Sequence, residues 1–289
     1  MTSFEQKKYF LCIKTKNYFM APFSFSRWNN ILGWTSFAIA LITYTLTVEP
    51  TLSFWDCGEY IATATKLQVG HPPGAPLYQM MGAFFATFAF GNNELVALTT
   101  NMMSVFSSAF TILFMYWSLT ILLRKIVNSY SNADENPVAI LGTAFVGVMA
   151  FTFSDSFWYN AVEAEVYAMA SLFIALMFWL GLKWEADMGN PRGNRWILII
   201  ALLTGLTFGV HFMALLTIPA IGMLYYFKHT EKITVKNFVI ANAIVIAVLL
   251  FIFKLLLPWT LAFFGKTEIF MVNSFGLPFN SGTILALLA

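Results

Sequence analysis

The stretch spanning residues 53–76 holds an unusual concentration of side chains that can do chemistry. Only 10% of the 289 residues are charged, yet this stretch contains Asp56, Glu59, Lys66 and His71. A carboxylate can act as a general base or bind a cation, and a histidine can donate a hydrogen bond to a phosphate oxygen. This combination predicts a reaction site.

Asp56 and Glu59 lie three residues apart, which places both carboxylates on one face if residues 55–66 form a helix. One interpretation makes them a general base or a cation ligand. The other makes them the acidic N-terminus of that helix, where a capping residue and the helix dipole favour carboxylates. Both interpretations fit the spacing.

His71 begins a His-Pro-Pro corner that ends at Pro76. A residue that precedes proline is pushed out of the helical region, so we expect extended backbone there. The corner would then present His71 rigidly at the start of the next helix, where it could bind a phosphate. A turn that contains an incidental histidine is the alternative.

Further acids and bases occur later in the chain. Glu163 and Glu165 are two residues apart and cannot share a helical face, so we expect one to point into a site and the other into water. A solvated loop rimmed by interfacial aromatic residues is the alternative. His211 interrupts a long apolar run, and an ionisable residue at membrane depth is a candidate functional residue. Lys254 is more typical of a lysine that extends its amine to the interface.

The composition indicates the scaffold that must position these groups. The chain is 59% hydrophobic, whereas a soluble domain has about 45–50% apolar residues. This predicts a polytopic membrane protein. The two cysteines, Cys12 and Cys57, are too few for a disulfide framework, and the predicted topology puts them on opposite faces of the membrane. No CxxC, P-loop, HExxH or GxSxG motif is present, and nothing suggests nucleic-acid binding.

The apolar runs predict an all-α bundle with seven full spans and the beginning of an eighth. The run from Ala75 to Phe90 has 16 residues, too few to cross a bilayer, and is predicted to lie at the interface. Residues 258–280 are predicted to form a loop. The predicted spans are Ile31–Val48, Leu95–Leu123, Val138–Phe153, Val166–Leu182, two short spans within 196–227 that meet at His211, Phe238–Leu257, and the partial span from Ser281.

Basic residues predict the orientation. Thirteen of the 16 Lys and Arg residues fall in the first 30 residues or in the loops after residues 123, 182 and 227. Cytoplasmic segments carry such an excess, so residues 1–30 are predicted to be a cytoplasmic, interfacial lead. Residues 31–289 are predicted to form a transmembrane domain that is truncated at its C-terminus. The candidate residues then face the outer side.

A resemblance adds to this interpretation. A span followed by an outward acidic loop, a His-Pro-Pro corner and an interfacial helix resembles the GT-C glycosyltransferases, which include the protein O-mannosyltransferases. The chain from about residue 30 onwards is more specifically similar to the Bacteroidota membrane family known as domain of unknown function 2723, grouped with glycosyltransferase family 117 and a eukaryotic protein O-mannosyltransferase relative. The segments that carry the similarity are Phe54–Tyr60, Gly70–Pro76, Ala161–Tyr167, Gly209–His211 and Leu277–Gly282.

The resemblance implies a GT-C-like helical bundle in a bacterial inner membrane, with its active site on the periplasmic face. It implies a sugar donor linked to polyprenyl phosphate and an acceptor Ser or Thr on an exported protein. Beyond this co-substrate it implies no cofactor, and it leaves a requirement for a divalent metal open. No metal ligand is assigned on this basis.

The resemblance also implies roles for particular residues. Asp56 would take the proton from the acceptor hydroxyl, with Glu59 beside it in the catalytic site. The donor phosphate would be bound by three basic groups, His71, His211 and Lys66. The sugar or the acceptor would be oriented by Glu163, Glu165, Tyr167 and Trp55.

Two other functions fit parts of the pattern. A transporter or flippase would explain His211 and Lys254 within apolar runs, although such folds usually contain internal repeats and none is evident here. A non-catalytic membrane scaffold for envelope assembly predicts that the acids and His71 are dispensable.

Overall fold

The computed structural model describes residues 24–72, 74–130 and 136–288, and over these residues every regular element is a helix. The predicted all-α class is therefore confirmed. The helices are α1 (Phe25–Thr47), α2 (Cys57–Thr65), α3 (Pro76–Ala86), α4 (Val96–Tyr130), α5 (Pro137–Thr152), α6 (Asp155–Ala161), α7 (Val166–Asp187), α8 (Asn194–Thr207), α9 (Thr217–His229), α10 (Val235–Phe251), α11 (Leu257–Phe275) and α12 (Ser281–Leu288).

Several of these helices are long and apolar enough to cross a bilayer. Within the described ranges, four continuous helical segments meet this criterion, and α5 with α6 adds a fifth if the pair, bent by 68°, forms one span. The helices α8 and α9 are each too short to cross alone. The count of seven full spans and a partial eighth stays a prediction. The four segments are Phe25–Thr47, Asn93–Ser129, Val166–Asp187 and Val235–Phe275.

The first helix begins earlier than the sequence analysis predicts. The side chain of Ser24 accepts a hydrogen bond from the backbone N–H of Arg27 at 3.4 Å, so α1 starts at Phe25 instead of Ile31. Serine is a favoured capping residue because its hydroxyl satisfies a backbone donor of the first turn. Residues 1–23 of the predicted lead, including Cys12, lie outside the described residues.

The basic ends of the helices meet at one end of the bundle. Glu185, near the end of α7, forms ion pairs with Lys125 of α4 and Lys228 of α9. Arg124 lies 4.6 Å from the ring centroid of Phe25, at the start of α1. These contacts agree with the predicted grouping of the lead and three basic loops on one side. The membrane face that this end occupies stays a prediction.

The helix α4 forms the centre of the bundle, packing against α1, α3, α5 and α7. It buries large side chains such as Ile112 and Tyr116 together with small polar ones such as Ser104 and Ser108. Small residues allow helices in a membrane to approach closely. At the end opposite Glu185, the Tyr44 hydroxyl donates to the Thr152 carbonyl at 2.9 Å and ties α1 to α5.

The prediction of a loop at residues 258–280 is wrong for most of its length. The helix α10 continues through a π-helical turn at Ile252–Leu256, which contains Lys254, into α11. Pro258 cannot donate a backbone hydrogen bond, but the wider π turn just before it accommodates that loss. The helix ends at Gly276, whose φ of 64° suits a glycine beyond a helix C-terminus.

The predicted break at His211 is confirmed. The helix α8 ends at Thr207, a 3₁₀ turn spans Phe212–Leu216, and α9 begins at Thr217. The break packs closely against the start of α3, where the Tyr78 N–H donates to the Gly209 carbonyl at 2.9 Å. A Cβ on Gly209 would lie 2.8 Å from the Cβ of Leu77.

This close approach predicts the effect of one methyl group. Gly209→Ala should lower the thermal midpoint of unfolding, at a cost of about 1–3 kcal/mol, because the backbone of α3 must move away. Gly205→Ala is the matched control, since a Cβ on Gly205 meets nothing within 4 Å. Tryptophan fluorescence during heating of the detergent-solubilised protein measures both midpoints. Equal midpoints would show that the approach of Gly209 to α3 does not constrain the fold.

Candidate functional site

The candidate site lies at the end of the bundle opposite Glu185, where two loops are tied together. The Glu49 N–H, just after α1, donates to the Val162 carbonyl after α6 at 3.0 Å. The buried Asn101 side chain of α4 donates to the carbonyls of Glu49 and Thr51 at 2.6 and 3.1 Å. Sequence reasoning missed Asn101, although an amide within a long apolar run is a detectable signal.

The first carboxylate of the site is Asp56, which occupies the N-cap position of α2. Its side chain makes no capping hydrogen bond and is 57% exposed. Asp56 therefore does not cap α2 through a side-chain hydrogen bond, and its carboxylate is free for other contacts. The preceding Trp55 is 87% exposed and has a φ of 62°, a strained conformation for a bulky residue.

The second carboxylate, Glu59, holds His71 at two points. One oxygen accepts from the His71 backbone N–H at 2.6 Å, and the other lies 3.0 Å from His71 Nδ1. A carboxylate only accepts, so Nδ1 carries the proton. These hydrogen bonds from His71, the backbone one first, hold the pKa of Glu59 below its usual value. The imidazole is thereby fixed with Nε2 3.8 Å from Asp56 Oδ2.

The His-Pro-Pro corner is a turn, and its histidine is not incidental. The Gly74 N–H donates to the His71 carbonyl at 2.8 Å, and Gly74 and Ala75 have φ values of 88° and 37°. Pro76 then starts α3, a position at which a missing N–H costs nothing. Pro73 lies outside the described residues. The structure thus brings together Asp56, Glu59 and His71, with one ligand atom of each within 4.8 Å of the others.

A buried acid lies directly behind this cluster. Glu165 precedes α7 and is only 6% exposed. Burial, followed by the charges of Asp56 and Glu163, raises the pKa of Glu165 from 4.5 to about 7, although the backbone N–H groups of Asp56 and Val166 favour its charged form. Burial and the nearby carboxylates of Glu165 and Asp56 also raise the pKa of Tyr60 to about 12.

The prediction for the loop that contains Glu163 and Glu165 is partly wrong, because neither of these glutamates points into water. Glu163 is 3% exposed, and burial together with the nearby Glu49 raises its pKa. The Glu165 N–H donates to the Glu163 carbonyl at 2.9 Å, which folds the chain tightly here, and both side chains are buried. The hydrogen bond between Val162 and Glu49 holds this loop against the loop that follows α1, so the loop is not solvated on that side.

The remaining predicted site residues lie at different distances from the cluster. The ring of Tyr167 is 5.3 Å from the ring of His211, centroid to centroid. His211 Nδ1 accepts from the Met213 N–H at 3.1 Å, which leaves Nε2 available. Lys66 caps the C-terminus of α2, about 15 Å along the helix from Asp56 at 1.5 Å per residue, so the structure does not bring it into the cluster.

An apolar groove lies along α3, the helix that begins just after the His71 corner. A cavity of 430 Å³ lies between α3, α4 and α7, and a second of 400 Å³ adjoins it across Phe84, Phe85 and Phe106. The lining of the groove includes Leu77, in the first turn of α3 after the His71 corner, and its walls are almost entirely hydrocarbon. Its other lining residues include Met81, Met103, Met169, Leu172 and Phe173. Sequence reasoning missed the groove.

The fold and the site define a helical membrane protein with an acid–histidine cluster at one end of its bundle. A family model described as "Protein O-mannosyl-transferase TMEM260 N-terminal domain" matches residues 56–234. This match covers the site and more than half of the chain, so the chain belongs to the TMEM260 N-terminal domain family. The predicted relation to protein O-mannosyltransferases is confirmed, and the relation to the Bacteroidota family stays a prediction.

Two curated relatives support this assignment. The chain is 30% identical over 146 residues to a protein O-mannosyl-transferase tmem260 from Dictyostelium discoideum, which covers 50% of the chain and 16% of the relative. It is 29% identical over 172 residues to protein O-mannosyl-transferase TMEM260 from Mus musculus, which covers 59% of the chain and 22% of the relative. The chain thus spans less than a quarter of either relative. No solved structure matches it.

The raised pKa of Glu165 predicts a pH dependence of stability. A carboxyl with a pKa of about 7 when folded and 4.5 when unfolded binds more protons in the folded state between these values. Stability must therefore fall as the pH rises from about 5 to 7. Glu165→Gln should flatten this slope, whereas Asp155→Asn removes an exposed acid of α6 as the control. Thermal midpoints across this pH range measure the slopes, and equal slopes for wild type and Glu165→Gln would contradict the assignment.

Proposed function

We propose that the chain is the membrane domain of a glycosyltransferase that transfers a sugar from a polyprenyl-phosphate donor to Ser or Thr of an exported protein. We place the reaction on the periplasmic face of a bacterial inner membrane, opposite the basic ends of the helices. The observation that carries the proposal is the Asp56–Glu59–His71 cluster together with an apolar groove lined by α3, the helix that begins just after the His71 corner. A lipid-linked sugar needs this combination of a polar reaction site and a hydrocarbon channel.

Asp56 acts as the base. Its carboxylate is exposed, is not used for capping, and follows a loop that is anchored by Asn101. It takes the proton from the acceptor hydroxyl as the oxygen attacks the anomeric carbon. The new bond joins that oxygen to the sugar, the bond between the sugar and the phosphate breaks, and the lipid phosphate leaves with the electron pair.

His71 stabilises the departing phosphate. Because Glu59 holds both the backbone N–H and Nδ1, the ring cannot rotate away, and its Nε2 edge stays beside Asp56. When Nε2 also carries a proton, the fixed ring directs this second N–H at the phosphate oxygen, and a donor that is positioned before the reaction stabilises developing charge without a reorganisation cost. His211, whose Nε2 has no role in the hydrogen bond to Met213 and whose ring lies 5.3 Å from that of Tyr167, is a second contact for the donor.

The other predicted residues orient the sugar and the acceptor. Glu165 accepts a hydrogen bond from the backbone N–H of Asp56 and, with a pKa of about 7, presents either a donor or an acceptor to a sugar hydroxyl near neutral pH. Trp55 offers an exposed aromatic face before the base, and Tyr167 is 43% exposed at the start of α7. Sugar rings commonly pack on such faces because the rings are amphipathic.

The proposal predicts that Asp56→Asn abolishes transfer. Loss of a general base typically costs about 10²- to 10⁴-fold in rate. In cells that express the protein, mass spectrometry of exported proteins measures glycan occupancy. Glu94→Gln is the matched control, because Glu94 is an exposed acid before α4 and is not part of the cluster. Normal occupancy with a correctly inserted Asp56→Asn variant would refute the enzyme and favour a transporter or a scaffold.

The groove gives a second prediction about the donor. Leu172→Trp should fill part of the groove and raise the KM for the lipid-linked donor by about tenfold. The effect on kcat should be smaller, because the lost apolar contacts between the donor lipid and the groove are far from the reacting atoms. Ile174→Trp places the same side chain in the separate cavity between α4, α5 and α7 and is the control. Steady-state transfer with purified protein and a short-chain donor measures both constants. Equal KM values for the wild type and the Leu172→Trp variant would exclude the groove as the lipid site.

A further inference from the structure

The cluster that serves the proposed chemistry also has the composition of a cation site. Asp56, Glu59 and His71 offer two carboxylates and an imidazole, with their ligand atoms within 4.8 Å of one another. The spacing of Asp56 and Glu59 already leaves a cation ligand open, whereas the family resemblance assigns no metal ligand. We infer that these residues bind one divalent cation of the oxygen-preferring class, Mg²⁺ or Mn²⁺, between Asp56 and the Nε2 atom of His71.

The orientation of His71 is the first argument. A metal-binding histidine usually donates its other ring N–H to a carboxylate, which fixes the tautomer and directs the lone pair at the metal. Glu59 makes this contact with Nδ1 at 3.0 Å and also holds the backbone N–H of the same residue. The free Nε2 then faces Asp56 Oδ2 across 3.8 Å, which is too long for a hydrogen bond and leaves room for a shared partner.

A buried amide without a partner is the second, independent argument. Gln79 of α3 is 4% exposed, and neither its Oε1 nor its Nε2 has a hydrogen-bond partner among the described residues. Its Nε2 and Glu59 Oε1 both lie within 3.3 Å of the point where a Cβ on Gly70 would stand. An unpaired buried amide costs about 1–3 kcal/mol. The hydration shell of a cation at the cluster would supply that partner.

The charges of the site favour a cation of this class. Two carboxylates offset the two charges of the ion, and they exceed the roughly half charge that the N-terminus of α2 contributes. All three side chains are exposed, so the ion keeps several waters, as Mg²⁺ and Mn²⁺ do. Oxygen ligands with a single imidazole suit these ions better than they suit softer metals.

When bound, the cation would take the place of the direct contact between His71 Nε2 and the donor phosphate, because Nε2 cannot donate a proton and bind the ion at once; this consequence rests on the proposed function. The ion would lie where the phosphate leaves and would neutralise the charge that develops there. Binding of the ion itself does not depend on that reaction. It can therefore be measured without donor or acceptor.

The test is a titration of the whole purified chain in detergent with Mn²⁺, followed by the loss of the free-ion electron paramagnetic resonance signal. We expect one Mn²⁺ per chain, displaced by Mg²⁺, with binding at least about tenfold weaker in His71→Ala and Asp56→Asn. Gln79→Leu should weaken binding by a smaller factor. Glu94→Gln, which removes an exposed carboxylate outside the cluster, should leave it unchanged.

The wild-type titration decides the inference even if a variant fails to fold. Substantially less than one Mn²⁺ per chain overturns it, as does equal affinity in wild type and a folded Asp56→Asn or His71→Ala variant. If Mn²⁺ binds but the protein transfers no sugar, the cation site stands and the proposed function falls. If transfer occurs without Mn²⁺ binding and is unaffected by a chelator, the proposed function stands and the cation site falls.

Discussion

The two-point hydrogen bond between Glu59 and His71 is the contact on which the site depends. It joins the first turn of α2 to a proline-rich corner twelve residues later, so two separate pieces of chain become one rigid surface. Without it, the imidazole would lose the partner that fixes its orientation, and the turn hydrogen bond at Gly74 would remain to hold the described part of the corner. The corner in turn sets the start of α3, which packs on the broken helix at Gly209 and forms one wall of the groove.

Behind this surface lie two buried acids whose protonation depends on how the loops pack. Glu163 and Glu165 are enclosed where their loop packs on the loop that follows α1, and this burial raises the pKa of both carboxyls. The charge of Asp56 adds to the effect at Glu165, so the deeper acid holds its proton more firmly while the exposed one stays accessible. A buried acid and an exposed acid in one site can take different roles in one reaction.

Some of this arrangement could be predicted from local patterns. The helix that carries Asp56 and Glu59, the short helix after Pro76 and the break at His211 follow from spacing, proline chemistry and run length. The prediction of a loop at 258–280 was wrong because a π turn carries the helix past Pro258, and no local sequence pattern indicates such a turn. The glutamate pair was misplaced because its burial depends on a hydrogen bond between Glu49 and Val162, far apart in sequence.

The sequence by itself determined that the protein is a helical membrane protein whose few ionisable groups cluster in particular loops, because hydrophobic run length and charge distribution are properties of the chain alone. Only the tertiary structure decided that Glu59 would clamp His71, that Lys66 would lie away from the cluster, and that an apolar groove would open beside Leu77. These features arise from contacts between distant segments, and their distances depend on how α2, α3, α4 and α7 pack together.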